Sequence, residues 1–448
     1  MPQPVLTPAI RQEIARLERA DIMVGIPSFK NAATIGYVVR AAQAGLVQYF
    51  PDLRPVVVNS DAGSTDGTGR VVVETEPPEY VERILLVRPT NKLSRVSLTY
   101  PEIEGTGGKG AALRTIFEIA AALEVQALVV VDSDLRSIGP EWIELLAGPI
   151  LKGGFDYTTP LYSRHKFDGT ITNTVTYPLT RALYGLRIRQ PIGGDFGVSG
   201  DLIDHYLAQD DWTPDVSKFG IDIWMTTTAV AGGFAVCQAR LGAKVHDPKD
   251  PGADLGPMFS QVVSTALRLT ERHDDRWLRV TGSRDVPAYG FERIVDPLPL
   301  DVDVGRLLRS FAAGASDHAD AWAEIGVLAG VDRLIALAAD AGAVAEAGAA
   351  ATFTFPDETW VRVVYGSLLA HHRRRLSDER LIEALVPLYF GRVASHVLET
   401  GPLDDEAAEA VVERQAGAYE ALKPELVAAW RADPAPPGGP AAGTEADA

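Results

Sequence analysis

The chain has 448 residues, 46% hydrophobic and 23% charged, with 41 Gly, 30 Pro and one Cys; that mix suits a globular chain of two to three domains and excludes a fibrous or wholly disordered one. A lone Cys237 cannot close an intramolecular disulfide, which removes the disulfide-stapled class and any chemistry based on a Cys pair. With 60 acids against 42 Lys plus Arg, the formal charge of −18 repels nucleic-acid backbones and anionic lipid, so an anionic substrate has to be caught by a local cluster of donors.

Residues 1–20 read as an amphipathic N-terminal helix without the apolar core of an export signal. The longer apolar stretches further on are broken, as at Asp340 and Glu346, before the ~18 residues that a membrane helix needs. A cytoplasmic chain without a membrane span is therefore expected.

Four β-branched runs follow, at 22–26, 56–58, 84–87 and 128–131, separated by helix-length segments. Runs buried on both faces with that spacing predict parallel strands of an α/β sheet. In an open parallel sheet, ligands bind outside the carboxyl ends of the strands. The first run ends in Pro27-Ser28-Phe29-Lys30-Asn31. The second ends in Asp61-Ala62-Gly63-Ser64-Thr65-Asp66-Gly67, where small residues allow close backbone approach and Asp or Ser side chains can bind a nucleotide; an ordinary Asx turn is the plainer alternative.

Ahead of the fourth run, Gly105-Thr106-Gly107-Gly108-Lys109-Gly110-Ala111-Ala112-Leu113 opens a helix. Its amides, the helix N-terminus and the Lys109 ammonium are the parts of a phosphate site. It is not a P-loop, because Gly110 stands where Ser or Thr belongs. The fourth run then delivers Asp132-Ser133-Asp134 to the edge of the sheet. Two acids one residue apart offer hard oxygen ligands for Mg²⁺ or Mn²⁺ bridging a diphosphate, or else form a solvated turn.

From about Pro257 an Ala/Leu-rich helical periodicity takes over, for example at 304–313, 319–339, 358–371, 379–398 and 406–429. This predicts a helical region over 257–431 and a disordered Pro/Gly-rich tail over 432–448. Its basic run, His371-His372-Arg373-Arg374-Arg375, is expected as a solvated helix end or as a help in holding an anion. Such helices suit either a homodimer interface or packing on the catalytic domain.

In order, Pro27-Ser28-Phe29-Lys30, the segment from Asp61 to Gly67, Gly108-Lys109-Gly110 and Asp132-Ser133-Asp134 resemble the GT-A nucleotide-sugar glycosyltransferases. Within them, they resemble the retaining branch that makes mannosylglycerate, glucosylglycerate or glucosyl-3-phosphoglycerate. Gln190-Pro191-Ile192-Gly193-Gly194-Asp195, Phe219-Gly220-Ile221-Asp222 and Gly242-Ala243-Lys244-Val245-His246 are similar to further motifs of that branch, and the likeness spans residues 21–270.

The resemblance implies a GT-A catalytic domain over 21–256, with a Rossmann-like, mostly parallel sheet, ahead of the helical region. It implies Asp134 and His246 as ligands of a divalent metal, Mg²⁺ or Mn²⁺, and an NDP-sugar as donor. Pro27, Ser28, Phe29, Asn31, Asp61, Ser64, Lys109, Asp132, Ser133 and Asp195 would face that donor. Arg164, Asp168, Thr170, Thr172, Phe219 and Lys244 would face a small anionic acceptor such as D-glycerate or 3-phosphoglycerate, for which Arg164 supplies a fork of donors. The Ile192 carbonyl would lie at the anomeric carbon, Asp222 and Asp195 would orient hydroxyls, and Lys109 would stabilise the leaving diphosphate.

Three departures set the chain apart from that branch: Lys30-Asn31 replaces Asn-Glu and leaves UDP and GDP open, Lys244 replaces Arg and is a poorer fork for phosphate, and Ala111 replaces an acid. An inverting family-2-type transfer, with Asp222 as base, is the alternative. A sugar nucleotidyltransferase would need a Gly-rich loop where Pro27-Ser28-Phe29-Lys30 stands, and a non-catalytic nucleotide-binding protein has no use for Asp132, Asp134 and His246 together.

Overall fold

The computed structural model describes residues 6–76, 94–99, 108–245, 255–291, 299–348 and 352–432. They form two compact units: Met1–Leu269 with Arg279–Val302, and Thr270–Leu278 with Asp303–Ala448.

The strands of the first unit are β1 (Ile22–Ser28), β2 (Pro55–Asp61), β3 (Ser94–Thr99), β4 (Ala127–Val130), β5 (Tyr157–Ser163), β6 (Leu186–Arg187), β7 (Phe196–Ser199), β8 (Val236–Ala243), β9 (Arg284–Asp285) and β10 (Ala288–Tyr289). Eight of them make one sheet in the order β10-β8-β5-β7-β4-β1-β2-β3, and β6 pairs with β9 apart from it. Within the sheet β7 runs antiparallel to β4 and β5, and the other pairings are parallel. The sheet is thus mostly parallel, as the sequence predicts.

Every residue of β1, β2 and β4 is buried, as continuous apolar runs in a sheet covered on both faces must be. Ile22, Val24 and Ile26 belong to a core built with the helices Ile35–Tyr49 and Glu141–Gly153. Gly25 points the other way, towards Ile116 of the helix Lys109–Ala122. The register sets Ser28 beside Asp61 and Gly25 beside Val130, so the carboxyl ends of β1, β2 and β4 share one edge.

Three expectations need correction. The N-terminal helix covers only Pro8–Leu17, started by the Thr7 hydroxyl, which accepts from the Ile10 amide, with Pro8 at the first helical position. The run at 84–87 lies outside the described residues, and the strand beside β2 is Ser94–Thr99. The boundary at 257 is also displaced: most of the helix Leu255–Arg272 belongs to the first unit, where Ser264 donates to Asp215 (2.8 Å) and the Phe219 amide donates to Gln261 (3.1 Å).

The second unit holds the helices Val304–Asp317, Ala319–Ile325, Val331–Ala347, Asp357–His372, Asp378–Thr400 and Asp405–Ala432. The continuous helix expected over 319–339 is broken between Ile325 and Val331, where Gly330 takes a positive φ of 85°. Asp378–Thr400 is long and apolar enough to cross a membrane, counter to the expectation that acids interrupt every such stretch; 72% of its apolar window is nevertheless buried within the protein. Inside that helix the buried Arg392 donates to Asp357, Gln415 and the Phe355 carbonyl.

The basic run is only in part the solvated helix end expected: Arg374 and Arg375 are exposed, but the two histidines are buried. His371 is buried between Asp378 (2.7 Å) and Glu271 (3.1 Å), Arg374 grips Glu271 at 2.8 and 2.9 Å, and His372 stacks on Trp430 with ring centroids 3.8 Å apart. Burial opposes a charge on His371, but the hydrogen bonds to Asp378 and Glu271 raise its pKa. A group raised on folding stabilises fully below its unfolded value, about 6.5, and that stabilisation is lost as pH rises through the folded value. The stability difference between the wild type and His371→Gln should therefore be largest at pH 6 and shrink as pH rises, measured by urea unfolding. His372, whose pKa burial lowers, is present in both proteins and drops out of the difference.

Candidate active site

At the shared sheet edge, Asp61 ends β2 and is buried. Its Oδ1 accepts from the Ser28 (3.0 Å) and Ser64 (2.6 Å) hydroxyls, and its Oδ2 accepts from the Ser64 amide (2.8 Å). The Ser64 Oγ in turn accepts from the Lys30 amide at 2.7 Å, and Asn59 donates to Ser28 Oγ at 2.8 Å. The Asx turn is thus what forms, and it fixes the loop after β1. Pro27 is buried, Lys30 sits at φ 55°, and the Phe29 ring is 54% exposed at the mouth. Asn31 joins this loop to the next one, its Oδ1 accepting from the Phe29 amide (3.2 Å) and from Ser133 Oγ (2.8 Å).

Beside it lies a cluster of two ammonium groups and three carboxylates. Lys109 sits 2.9 Å from Asp132 and 3.1 Å from Asp222; Lys244 sits 2.7 Å from Asp132 and 3.0 Å from Asp195. Lys244 also donates to the Gly193 carbonyl at 2.8 Å, so its three protons all have acceptors. Asp195 is fully buried: its Oδ1 accepts from the Asp132 amide (2.8 Å) and its Oδ2 from the Tyr162 hydroxyl and Lys244. Burial opposes the charge on Lys109, but Asp132 and Asp222 hold it firmly protonated, and the two lysines likewise keep Asp132 ionised far below the usual carboxylate range. Burial pushes Asp195 upward against the pull of Lys244.

Two site assignments change as a result. Lys244 has no proton left for an acceptor, and Asp195 has no accessible oxygen for a sugar; both hold Asp132 and the 193–194 backbone in place. A third expectation also fails. The amides of Gly110 and Ala111 donate to the carbonyls of Lys218 (3.2 Å) and Ser217 (2.9 Å), because Gly110 has no Cβ and lets that loop close over the helix start; those amides are not left for a phosphate. Among the described residues of that segment, Lys109 is the one whose side chain pairs with the cluster.

Gly194 combines φ 88° with a position where a Cβ would stand 2.1 Å from Asp132 Oδ2 and 2.9 Å from Lys244 Nζ. Gly194→Ala is expected to destabilise by about 2 kcal/mol or more through strain and displaced ions, and to cut turnover, as thermal unfolding and steady-state rates would show.

Asp134 is different. It is partly exposed on the turn after β4 and makes no hydrogen bond or ion pair with a described residue. Its proposed companion His246 lies outside the described residues, and among the described residues no three His, Cys, Asp or Glu side chains gather as a metal centre.

On the acceptor side, Arg164 lies over the Tyr162 ring (5.1 Å) and 3.6 Å from Asp168, with its buried Nε unpartnered. Thr170 and Thr172 are brought nearby but almost fully buried, Phe219 is 41% exposed, and Ile192 is half-buried one residue before Gly193. Sequence reasoning missed Tyr162 as a partner of Asp195. It also missed the Gln190 side chain, which accepts from the Tyr162 amide (3.2 Å) and donates to the Tyr162 carbonyl (3.1 Å), acting as a strand partner.

No protein-family model matches the chain. Glucosyl-3-phosphoglycerate synthase of Petrotoga mobilis is 22% identical over 280 residues, 59% of this chain and 78% of its own. The chain is thus similar in sequence to a glycosyltransferase over more than half of its length. Solved structures that resemble it include glucosyl-3-phosphoglycerate synthase of Mycobacterium tuberculosis with Mn²⁺, UDP-glucose and phosphoglyceric acid (26% identity, 60% of this chain and 86% of that one, TM-score 0.41). Another is a mycobacterial protein (28% identity, 57% and 76%, TM-score 0.42).

Proposed function

We propose that this glycosyltransferase moves a hexose, with retention, from an NDP-sugar to a small carboxylate-bearing acceptor such as D-glycerate, giving an α-glycoside. One observation carries the reading: the carboxyl ends of β1, β2 and β4 bring the Ser28–Asp61–Ser64 turn, the Lys109–Asp132–Asp222 cluster and Asp134 to one sheet edge. The Mn²⁺, UDP-glucose and phosphoglyceric acid named for the mycobacterial structure favour UDP-glucose as donor.

Among the described residues nothing pairs with Asp134, whose hard carboxylate oxygens suit a divalent metal, with His246 as the partner that the resemblance implies. When bound, the metal supplies charge neutralisation at the diphosphate. Phe29 offers an open ring face for the base, with the Lys30 ammonium 5.0 Å from its centroid. Lys109, kept an ammonium by its carboxylates, meets the charge that develops on the leaving diphosphate. A diphosphate oxygen takes the proton of the acceptor hydroxyl as that hydroxyl attacks from the side of departure. The Asp222 carboxylate is engaged by the Lys109 ammonium at 3.1 Å, and a carboxylate tied up in this way supports retention over an inverting transfer with Asp222 as base. With Lys244 engaged internally, Arg164 is left to fork a carboxylate, and this supports glycerate over 3-phosphoglycerate.

Proton NMR of reactions pairing UDP-glucose or GDP-mannose with D-glycerate or 3-phosphoglycerate, with Mn²⁺ or Mg²⁺, tests this reading. An α-linked glycerate product is the expected result. A β-linked product would overturn retention and make Asp222 the base.

A further inference from the structure

A five-residue π-helix, Thr172–Thr176, follows directly on the turn that carries Arg164 and Asp168. Single turns of this kind cost hydrogen-bond geometry and concentrate at functional sites. The turn before it is closed by the Asp168 amide donating to the His165 carbonyl (2.8 Å) and the Asn173 amide donating to the Gly169 carbonyl (2.8 Å), with Gly169 at φ 67°. Asn173 is 8% exposed and works in two directions. Its Nδ2 donates back to the Asp168 carbonyl (3.3 Å), and its Oδ1 accepts from an Arg189 guanidinium nitrogen (2.9 Å).

Arg189 comes from a different part of the chain, three residues before Ile192. Its amide donates to Gln238 Oε1 of β8 at 2.7 Å, and its neighbour Gln190 is clipped to the backbone of Tyr162 at the end of β5. Its guanidinium lies over the Tyr177 ring, 5.1 Å from the centroid, on the helix that continues from the π-helix. The arginine is thus anchored in the sheet at its backbone and reaches across to the turn with its head. A planar guanidinium can lie flat over the ring and donate from its edge to the amide oxygen, and a lysine ammonium, a point charge without that rigid edge, fixes the pair less firmly.

We propose that Arg189, through Asn173, is a positioning residue that locks the turn 164–172 to the segment 189–195, so that acceptor and anomeric carbon are presented to each other in one geometry. The inference rests on the function proposed above for those two segments. Displacement of about 1 Å between reacting partners can cost ~10²-fold in rate, which is what such a lock prevents.

The test uses full-length Arg189→Met, Arg189→Lys and Asn173→Ala. The first readout is amide hydrogen exchange: peptides over 164–176 should exchange about tenfold faster in all three variants, while peptides from β1 and β4 stay at wild-type rates. The second is kinetic: the acceptor KM should rise about tenfold and donor hydrolysis should gain on transfer, with the donor KM unchanged. Unaltered exchange over 164–176, or acceleration spread equally over β1 and β4, overturns the lock. If the wild type transfers to no offered acceptor, the proposed function fails, but the exchange readout still decides whether Arg189 holds the turn.

Discussion

Asp134→Ala should lower metal-dependent transfer by about 10³-fold or more while leaving the thermal midpoint within ~1 °C of the wild type. A metal acting as Lewis acid at a leaving diphosphate contributes several kcal/mol, and about 4 kcal/mol is three decades of rate. The structural cost is small, because Asp134 bonds to no described residue and a partly exposed side chain without partners is worth within ±0.5 kcal/mol. Asp132→Ala makes the contrast. It removes an acceptor from both Lys109 and Lys244, so activity and stability should fall together. NDP release assayed across a Mn²⁺ titration, with differential scanning calorimetry on the same samples, checks both. An Asp134→Ala enzyme that regains full rate at millimolar Mn²⁺ would show a supporting ligand instead of an essential one.

Lys244→Met is expected to cost about 3–5 kcal/mol of folding stability, the usual range when one member of a buried ion cluster is removed and its partners stay charged. The Lys244 side chain is 5% exposed, and its loss strands Asp195, which is wholly buried, along with one oxygen of Asp132. The double variant Lys244→Met with Asp195→Asn should recover part of the loss, because the stranded charge is gone. Lys244→Arg should not restore the wild type: Gly194 already lies so close to the ammonium that a larger head forces the 193–194 backbone aside. Guanidinium chloride midpoints for the three variants measure these differences.

The legible parts of this protein were those set by local rules. A buried run such as Leu128 to Val131 has to end at a sheet edge, so Asp132 and Asp134 could be placed from sequence, and the helices of the second unit followed from their period. The run Ser94 to Thr99 alternates in type as an edge strand does, and offers no continuous apolar run to find. What sequence could not supply was the division of labour among like charges. Asp195 and Lys244 stand 49 positions apart and each is equally plausible as a ligand contact until their mutual hydrogen bonds are seen. The Gly110 amide was misread for the same reason, since its partner Lys218 lies in a distant loop.

The short segment Thr270–Leu278 belongs to the helical unit although the chain on both sides of it belongs to the sheet-bearing one. Its Trp277 meets Trp430 edge to face at 5.1 Å, and Asp274 accepts from the Trp430 indole at 3.3 Å. The polypeptide therefore passes between the two units three times, after Leu269, Leu278 and Val302. A gene cut at any one of these points would split the other unit's fabric, so the helical half is not a cassette that can be trimmed off or shuffled. Engineering or recombination of this enzyme has to carry both halves together, or transplant the nine-residue stitch along with the C-terminal portion.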